Sequence, residues 1–277
     1  MGQRSVKVLS EVHLDIPENP QRIVSLTPSI TEMLCDLGLF SRIVGVSAFC
    51  ARPEQIREKR KVGSFGSFRD EVMEQVNPDI VFLESGFQDP LMTRLSEKYK
   101  VVSLPLPRNV ADILSWIWNL GLITDRLERA NSLIGELSLL IHPHVKRKVR
   151  GYLEIDLGGP VTFGYYSYIT NTMSMYGIET PYEKTAAEWM KPDDDALIRF
   201  DPEIIFYEPK MFSRFTENDL ERIIEERGWE NTTAYRNCNI YSTPGPLDFF
   251  AHHGTSFITE TIPWMEKHIE ELFNTVK

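Results

Sequence analysis

Fifteen residues of this chain occur twice. Asp70 to Glu84 reads DEVMEQVNPDIVFLE, and Asp194 to Glu208, displaced by 124 positions, reads DDALIRFDPEIIFYE. Asp, Pro, Ile, Phe and the closing Glu are identical, and extending the register backwards sets Phe65 opposite Trp189. Each copy reads as a short helix, a Pro-acid corner and an apolar strand. That phrase is common in α/β proteins. The shared offset of aromatic, acid, proline and strand is what favours a true duplication, with two similar lobes facing each other across a cleft.

A chain of 277 residues accommodates one large domain or two of ordinary size. No apolar run approaches the ~20 residues that a membrane span requires. A net charge of −10 argues against a nucleic-acid groove. The densest basic stretch, Lys146-Arg147-Lys148 with Arg150, reads as a solvated helix end. The opening MGQRSVKVLSEVHLDIP has no apolar core or small-residue cleavage site of a secretory signal. It fits a mature or trimmed form or a cytosolic protein. Cys35, Cys50 and Cys238 form no C-x-x-C pair, and no spacing selects a disulfide among them. Cys35 falls in an apolar helical stretch and is expected in the core.

Strands and helices alternate along the chain. Arg22–Leu26, Ile43–Val46, Ile80–Leu83 and Val101–Leu104 read as strands. Helices are expected over Ser29–Leu37, Asp70–Val76 and Leu91–Tyr99. This alternation predicts a parallel sheet covered on both faces. Asn109 to Ile141 is helical with a break near Thr124-Asp125, and Pro143 ends it. The pattern then restarts with strand Gly151–Ile155, a Gly- and Tyr-rich turn GGPVTFGYYSY, a helix over Thr170–Tyr176 and the second copy of the repeat. Helix Glu217–Glu226, strand Asn239–Ser242 and a last helix over Thr255–Phe273 complete it. The expected fold is therefore α/β. An N-terminal lobe spans 20–107, a helical connector 108–148 and a C-terminal lobe 149–277.

RIVSLTPSITEMLCDLG followed by RIVGVSAF is similar to the opening of the substrate-binding proteins of cobalamin and iron-siderophore ABC importers. KVGSF, NPDIVFLESG, DPEIIFYEP and GWENTTAYRNCNIYST resemble further segments of that family, in order, over roughly Arg22 to Met265. The resemblance implies two pseudo-symmetric α/β lobes joined by one long helix, with the ligand cleft between them. The aromatic at Trp189 and the SAFCARP stretch look closest to the cobalamin-binding branch. The implied location is extracytoplasmic, and the implied form a monomer that docks on a membrane permease.

In α/β lobes, ligands meet the loops at the carboxyl ends of parallel strands. Those candidate loops are 27–29, 47–50, 63–68 and 84–87 in the first lobe, and 164–167, 187–190 and 247–253 in the second. They are rich in rings, which suits a large planar ligand, although ordinary core packing is the alternative reading of each ring. The candidate ligand residues are Phe49, Phe65, Phe68, Glu84, Tyr166, Trp189, Phe249 and His252. Phe65 and Trp189 stand out because both match ligand-contact positions of the family and the repeat pairs them. Glu84 and Glu208 end the repeated strands. At Glu84 a carboxylate could accept hydrogen bonds from corrinoid amides; a solvated strand end is the other reading. Glu71 and Asp195 stand near matching helix starts, where an acid complements the helix dipole. The resemblance assigns these two to permease docking, with Asp195 departing from the family's usual Glu, so that Asp194 or Glu188 is an alternative. His252 and His253 precede the last helix, and an axial bond to a metal centre competes with a merely polar role. His142 and His144 read as surface residues.

The leading reading is a receptor that captures cobalamin or a related corrinoid as transported ligand and hands it to an ABC importer, with no catalytic cofactor. No G-x-S-x-G, H-E-x-x-H or phosphate-binding glycine loop is present. A ferric siderophore or haem is the alternative ligand, with Arg52, Arg69 and Arg108 available to an anion. A two-lobed tetrapyrrole chelatase is the alternative from another class.

Overall fold

A computed structural model describes residues 3–7 and 13–274 of the chain. It contains two compact units, Met1–Leu106 with Ala111–Leu140, and Pro107–Val110 with Ile141–Lys277.

The first unit opens with the antiparallel pair β1 (Gln3–Lys7) and β2 (His13–Pro17). Its main elements are β3 (Ile23–Ser25), α1 (Pro28–Asp36), β4 (Ile43–Ser47), β5 (Lys61–Ser64), β6 (Ser67–Phe68), α2 (Asp70–Val76), β7 (Ile80–Glu84), α3 (Asp89–Ser96) and β8 (Val101–Leu104). The sheet runs β6-β5-β4-β3-β7-β8, parallel except for the β5–β6 hairpin. Helices α4 (Val110–Thr124) and α5 (Leu127–Ser138) follow. Asp125 adopts φ 60° at the break between them. A Cβ on Gly121 would lie 2.4 Å from the Ala130 Cβ, so the glycine lets the two helices approach.

The second unit contains β9 (Val149–Asp156), β10 (Pro160–Phe163), α6 (Tyr168–Met175), β11 (Ile178–Glu179), β12 (Trp189–Met190), α7 (Asp194–Phe200), β13 (Ile204–Glu208), α8 (Glu217–Arg227), α9 (Thr233–Arg236), β14 (Ile240–Ser242) and α10 (Ile262–Asn274). Its sheet runs β12-β10-β9-β13-β14, with β11 also on β9. Strands β9, β13 and β14 are parallel, whereas β10 and β12 form an antiparallel edge. The turn expected over GGPVTF contains β10, which doubles back after Gly158 and Gly159, both at positive φ. The closing helix contains a π-helical turn, Phe257–Thr261, before α10.

The duplication is physical. Helices α2 and α7 occupy the same seven positions of the repeat, and β7 and β13 the same five. Each helix stops at a left-handed residue, Asn77 at φ 39° and Asp201 at φ 53°, polar types that tolerate this conformation. The corner is then tied to the first parallel strand by the same bonds in both units. Arg22 and Arg150 each receive the backbone N–H of the acid after the proline, Asp79 at 2.8 Å and Glu203 at 2.7 Å. The carboxylates of those acids accept the backbone N–H groups of Arg22 and Arg150 in return, at 3.0 and 3.1 Å. Repeat-matched residues also fill both cores: Met73 and Leu197, Val81 and Ile205, Leu83 and Tyr207.

Candidate functional site

In the first unit the carboxyl ends of β3, β4, β5 and β7 release the loops that carry Thr27, Phe49, Phe65 and Phe87. Phe87 is 72% exposed and Phe49 38%, while Phe65 is half-buried. The Phe65 and Phe87 rings stack, with centroids 5.6 Å apart and planes 24° from parallel. A Cβ on Gly66 would lie 2.9 Å from the Phe87 Cε1, so only a bare backbone fits beneath that ring. These rings form an aromatic surface at the strand ends, large in area and low in conformational entropy. Phe68 has a different setting: it packs against the apolar core, with the Arg94 guanidinium over its face at 4.5 Å.

One polar residue organises these loops. Gln88 is fully buried at the N-cap of α3. Its Oε1 accepts from the Glu84 backbone N–H and from Thr27 Oγ1, both at 2.8 Å. Its Nε2 donates to the carbonyls of Phe65 at 2.7 Å and Leu26 at 3.3 Å. Both donors and both acceptor directions of the amide are thus used. Sequence reading did not single this residue out.

Glu84 and Glu208 are both buried, so the solvated strand end is not what the structure contains. Glu208 accepts the backbone N–H groups of Phe249, Phe250 and Ala251 and thereby fixes the loop after β14. Complete burial, reinforced by the nearby Asp248 charge, pushes the Glu208 carboxyl up to about 8 against the pull of those three donors. Phe249 lies in the aromatic cluster of Phe250 and Trp264 beside this loop, and His252 is likewise buried.

The second unit exposes its rings elsewhere. Tyr165, Tyr166 and Trp189 are 64%, 45% and 62% exposed. The loops 164–167 and 187–190 were expected at carboxyl ends of parallel strands; they belong instead to the antiparallel β10–β12 edge, where Phe163 pairs with Trp189. Tyr165 and Tyr166 donate their backbone N–H groups to the Thr185 and Ala187 carbonyls at 2.8 and 3.0 Å. A Cβ on Gly164 would lie within 2.7 Å of both carbonyl oxygens, so these segments are laced closely together. The two tyrosines meet edge to face at 5.3 Å, and the Arg108 guanidinium lies 5.9 Å from the Tyr166 ring.

Glu71 and Asp195 are exposed in the first turns of α2 and α7. The aspartate before each is held by an arginine from the helix that follows the repeat. Asp70 pairs with Arg94 at 3.1 Å on the surface. Asp194 pairs with Arg227 at 2.7 Å in a largely buried network, where Arg227 also meets Glu154 at 2.8 Å. Tyr152 donates its hydroxyl to Glu154 at 2.7 Å. Burial raises the pKa of Glu154 and Asp194 despite the arginine. The three cysteines are free, and Cys35 is half-buried rather than core. Among the described residues no helix is long and apolar enough to cross a membrane, and no cluster of three or more His, Cys, Asp or Glu side chains could hold a metal.

Residues 23–247 match the family model described as periplasmic binding protein. The chain belongs to this family. Members of the periplasmic binding protein family are substrate-binding transport proteins rather than enzymes. The chain is 21% identical to an uncharacterized ABC transporter substrate-binding lipoprotein, YvrC, of Bacillus subtilis, covering 96% of this chain and 83% of the relative. It is 23% identical to a vitamin B12-binding protein of Pectobacterium atrosepticum, over 67% of this chain and 71% of that one. In fold, the periplasmic binding protein described here is similar to the petrobactin-binding protein YclQ of Bacillus subtilis, with a TM-score of 0.77, 15% identity, and coverage of 98% and 99% of the two chains.

Proposed function

We propose that this periplasmic binding protein captures cobalamin or a related corrinoid and delivers it to the permease of an ABC importer. The observation that carries the reading is the pair of exposed aromatic surfaces, Phe65 with Phe87 and Tyr165 with Tyr166 and Trp189, in which Phe65 and Trp189 share one repeat position. Rings of this size offer area to the faces and methyl edges of a corrin without demanding a charge on the ligand. The likeness to a vitamin B12-binding protein supports the same choice. Phe49 adds a further ring, whereas Glu84, Phe249 and His252 are buried and Phe68 packs against the core. Glu71 and Asp195 are the acids proposed to meet the permease, outside the cytoplasm. Within the family, a ferric siderophore or haem is the alternative, and Arg108 beside Tyr166 is the cation that would serve such an anion.

Titration with cyanocobalamin, haemin and a ferric catecholate siderophore tests the assignment. Stoichiometric binding of cyanocobalamin without turnover, tighter than either competitor, is the expected result. Preference for haemin or the siderophore would overturn the corrinoid reading, and metal insertion into an empty macrocycle would overturn the receptor itself.

A further inference from the structure

We infer that Gln88 is a positioning residue that assembles the Phe65–Phe87 ring pair before any ligand arrives. The consequence for affinity rests on the corrinoid reading above; the assembly of the rings does not.

Three loops have to be brought together to make this surface. They leave β3, the β5–β6 hairpin and β7, and they are distant in sequence. The Gln88 amide bonds to all three. It reaches the β3 loop through Leu26 and Thr27, the hairpin through the Phe65 carbonyl, and the end of β7 through the Glu84 N–H. The amide orientation follows from these partners: two donors, the Glu84 N–H and the Thr27 hydroxyl, face Oε1, and two carbonyls face Nε2. Full burial makes each of these bonds costly to lose, because no water replaces it.

The geometric consequence lies one residue away. The Phe87 ring is attached to the backbone immediately before Gln88, and the carbonyl that Gln88 holds belongs to Phe65. Pulling that carbonyl to 2.7 Å fixes the backbone of one ring against the backbone of the other, and the bare Gly66 leaves room for Phe87 to lie down on Phe65. The Phe87 ring is 72% exposed and rests on Phe65 and Gly66. The repeat position matching Gln88 in the second unit is Phe212, an exposed ring, so this device is not duplicated there. The second unit uses the Glu208 carboxylate on the 249–251 loop.

Gln88→Glu keeps the acceptor side of the network and removes both donors; Gln88→Met removes all four bonds at similar volume. 4-Fluorophenylalanine placed at position 87 reports the stack by its ¹⁹F ring-current shift, which Phe65→Leu defines as the unstacked reference. In ligand-free protein, both Gln88 variants are expected to move the signal to that reference while unfolding stays cooperative. Should Gln88→Met not fold, Gln88→Glu alone decides. A folded Gln88→Glu variant that retains the stacked shift overturns the inference. With cyanocobalamin, Gln88→Glu is expected to weaken binding about tenfold. In a Phe65→Ala/Phe87→Ala background it is expected to cost nothing further. Equal losses in both backgrounds would reduce Gln88 to a general structural role and overturn positioning. If the wild-type chain does not bind cyanocobalamin, the corrinoid reading falls and the ¹⁹F result still decides the role of Gln88.

Discussion

Arg150 Nε donates to the Asp201 carbonyl at 2.8 Å, as Arg22 Nε donates to the Asn77 carbonyl at 3.0 Å. In each unit a guanidinium at the start of the first parallel strand of the main sheet caps the carbonyl at which the repeated helix turns left-handed. Such carbonyls have lost their helical donors and are otherwise left to water. Removing the side chain in Arg150→Met is expected to destabilise the protein by about 1 kcal/mol. Urea unfolding with unchanged m-value checks this. A loss well below that figure would make the matched geometry incidental.

Arg227 is a different case, because its partner Glu154 is almost completely buried. Arg227→Met leaves that carboxylate without its cation and is expected to cost about 3–5 kcal/mol. The counterpart Arg94→Met breaks an exposed pair together with the contact over the Phe68 ring and is expected to cost about 1 kcal/mol. Thermal unfolding of the two variants side by side measures the contrast, and similar losses would contradict it.

Glu208 gives a pH dependence whose sign is fixed. Its carboxyl is raised from 4.5 to about 8 in the folded protein. The folded state therefore binds the extra proton, and this contribution to stability is complete below about pH 4.5 and lost as pH rises to about 8. Chemical unfolding between pH 5 and 8 should show stability falling with pH, and Glu208→Gln should flatten that fall. An unchanged slope in the variant would assign the dependence to another group.

Trp189 is largely exposed and supports little of the core. Trp189→Ala should leave the melting temperature almost unchanged and weaken cyanocobalamin binding about thirtyfold, from about 2 kcal/mol of lost apolar contact. Calorimetric titration checks the figure, and undiminished affinity would take the indole out of the proposed site.

Glu71→Lys and Asp195→Lys, singly and together, should leave ligand affinity intact and cost no more than about 1 kcal/mol of stability each through the helix dipole, since both residues are exposed. Association with the permease reconstituted in lipid nanodiscs should be lost. Retained association would move docking to other acids, of which Glu188 is one.

The repeated segments were legible because local preference and tertiary packing agree there. Acids near the helix start, a polar residue that accepts positive φ at its end and β-branched residues in the strand all point to one structure. The alternation of elements likewise announced the parallel sheets. Strand β10 was hidden because its glycines and proline read as a turn, whereas those glycines make the reversal that lets it pair with β9. Gln88 was hidden for another reason. It makes bonds to Leu26, Thr27 and Phe65, more than twenty positions away, and a lone polar residue after a phenylalanine carries no pattern. Glu84 and Glu208 show the same limit: an acid ending a strand looks solvated until the loop that covers it is known.

The segment between α5 and β9 has a consequence for ancestry. His142 to Lys148 is continuously exposed, and it lies where the first compact unit hands the chain to the second. Each side of it carries its own copy of the arginine-capped corner and its own core. A genetic crossover in this stretch would exchange whole halves between related receptors without cutting a corner network. Descendants then inherit the ring-bearing loops of one unit from one parent and those of the other unit from another, in a single recombination.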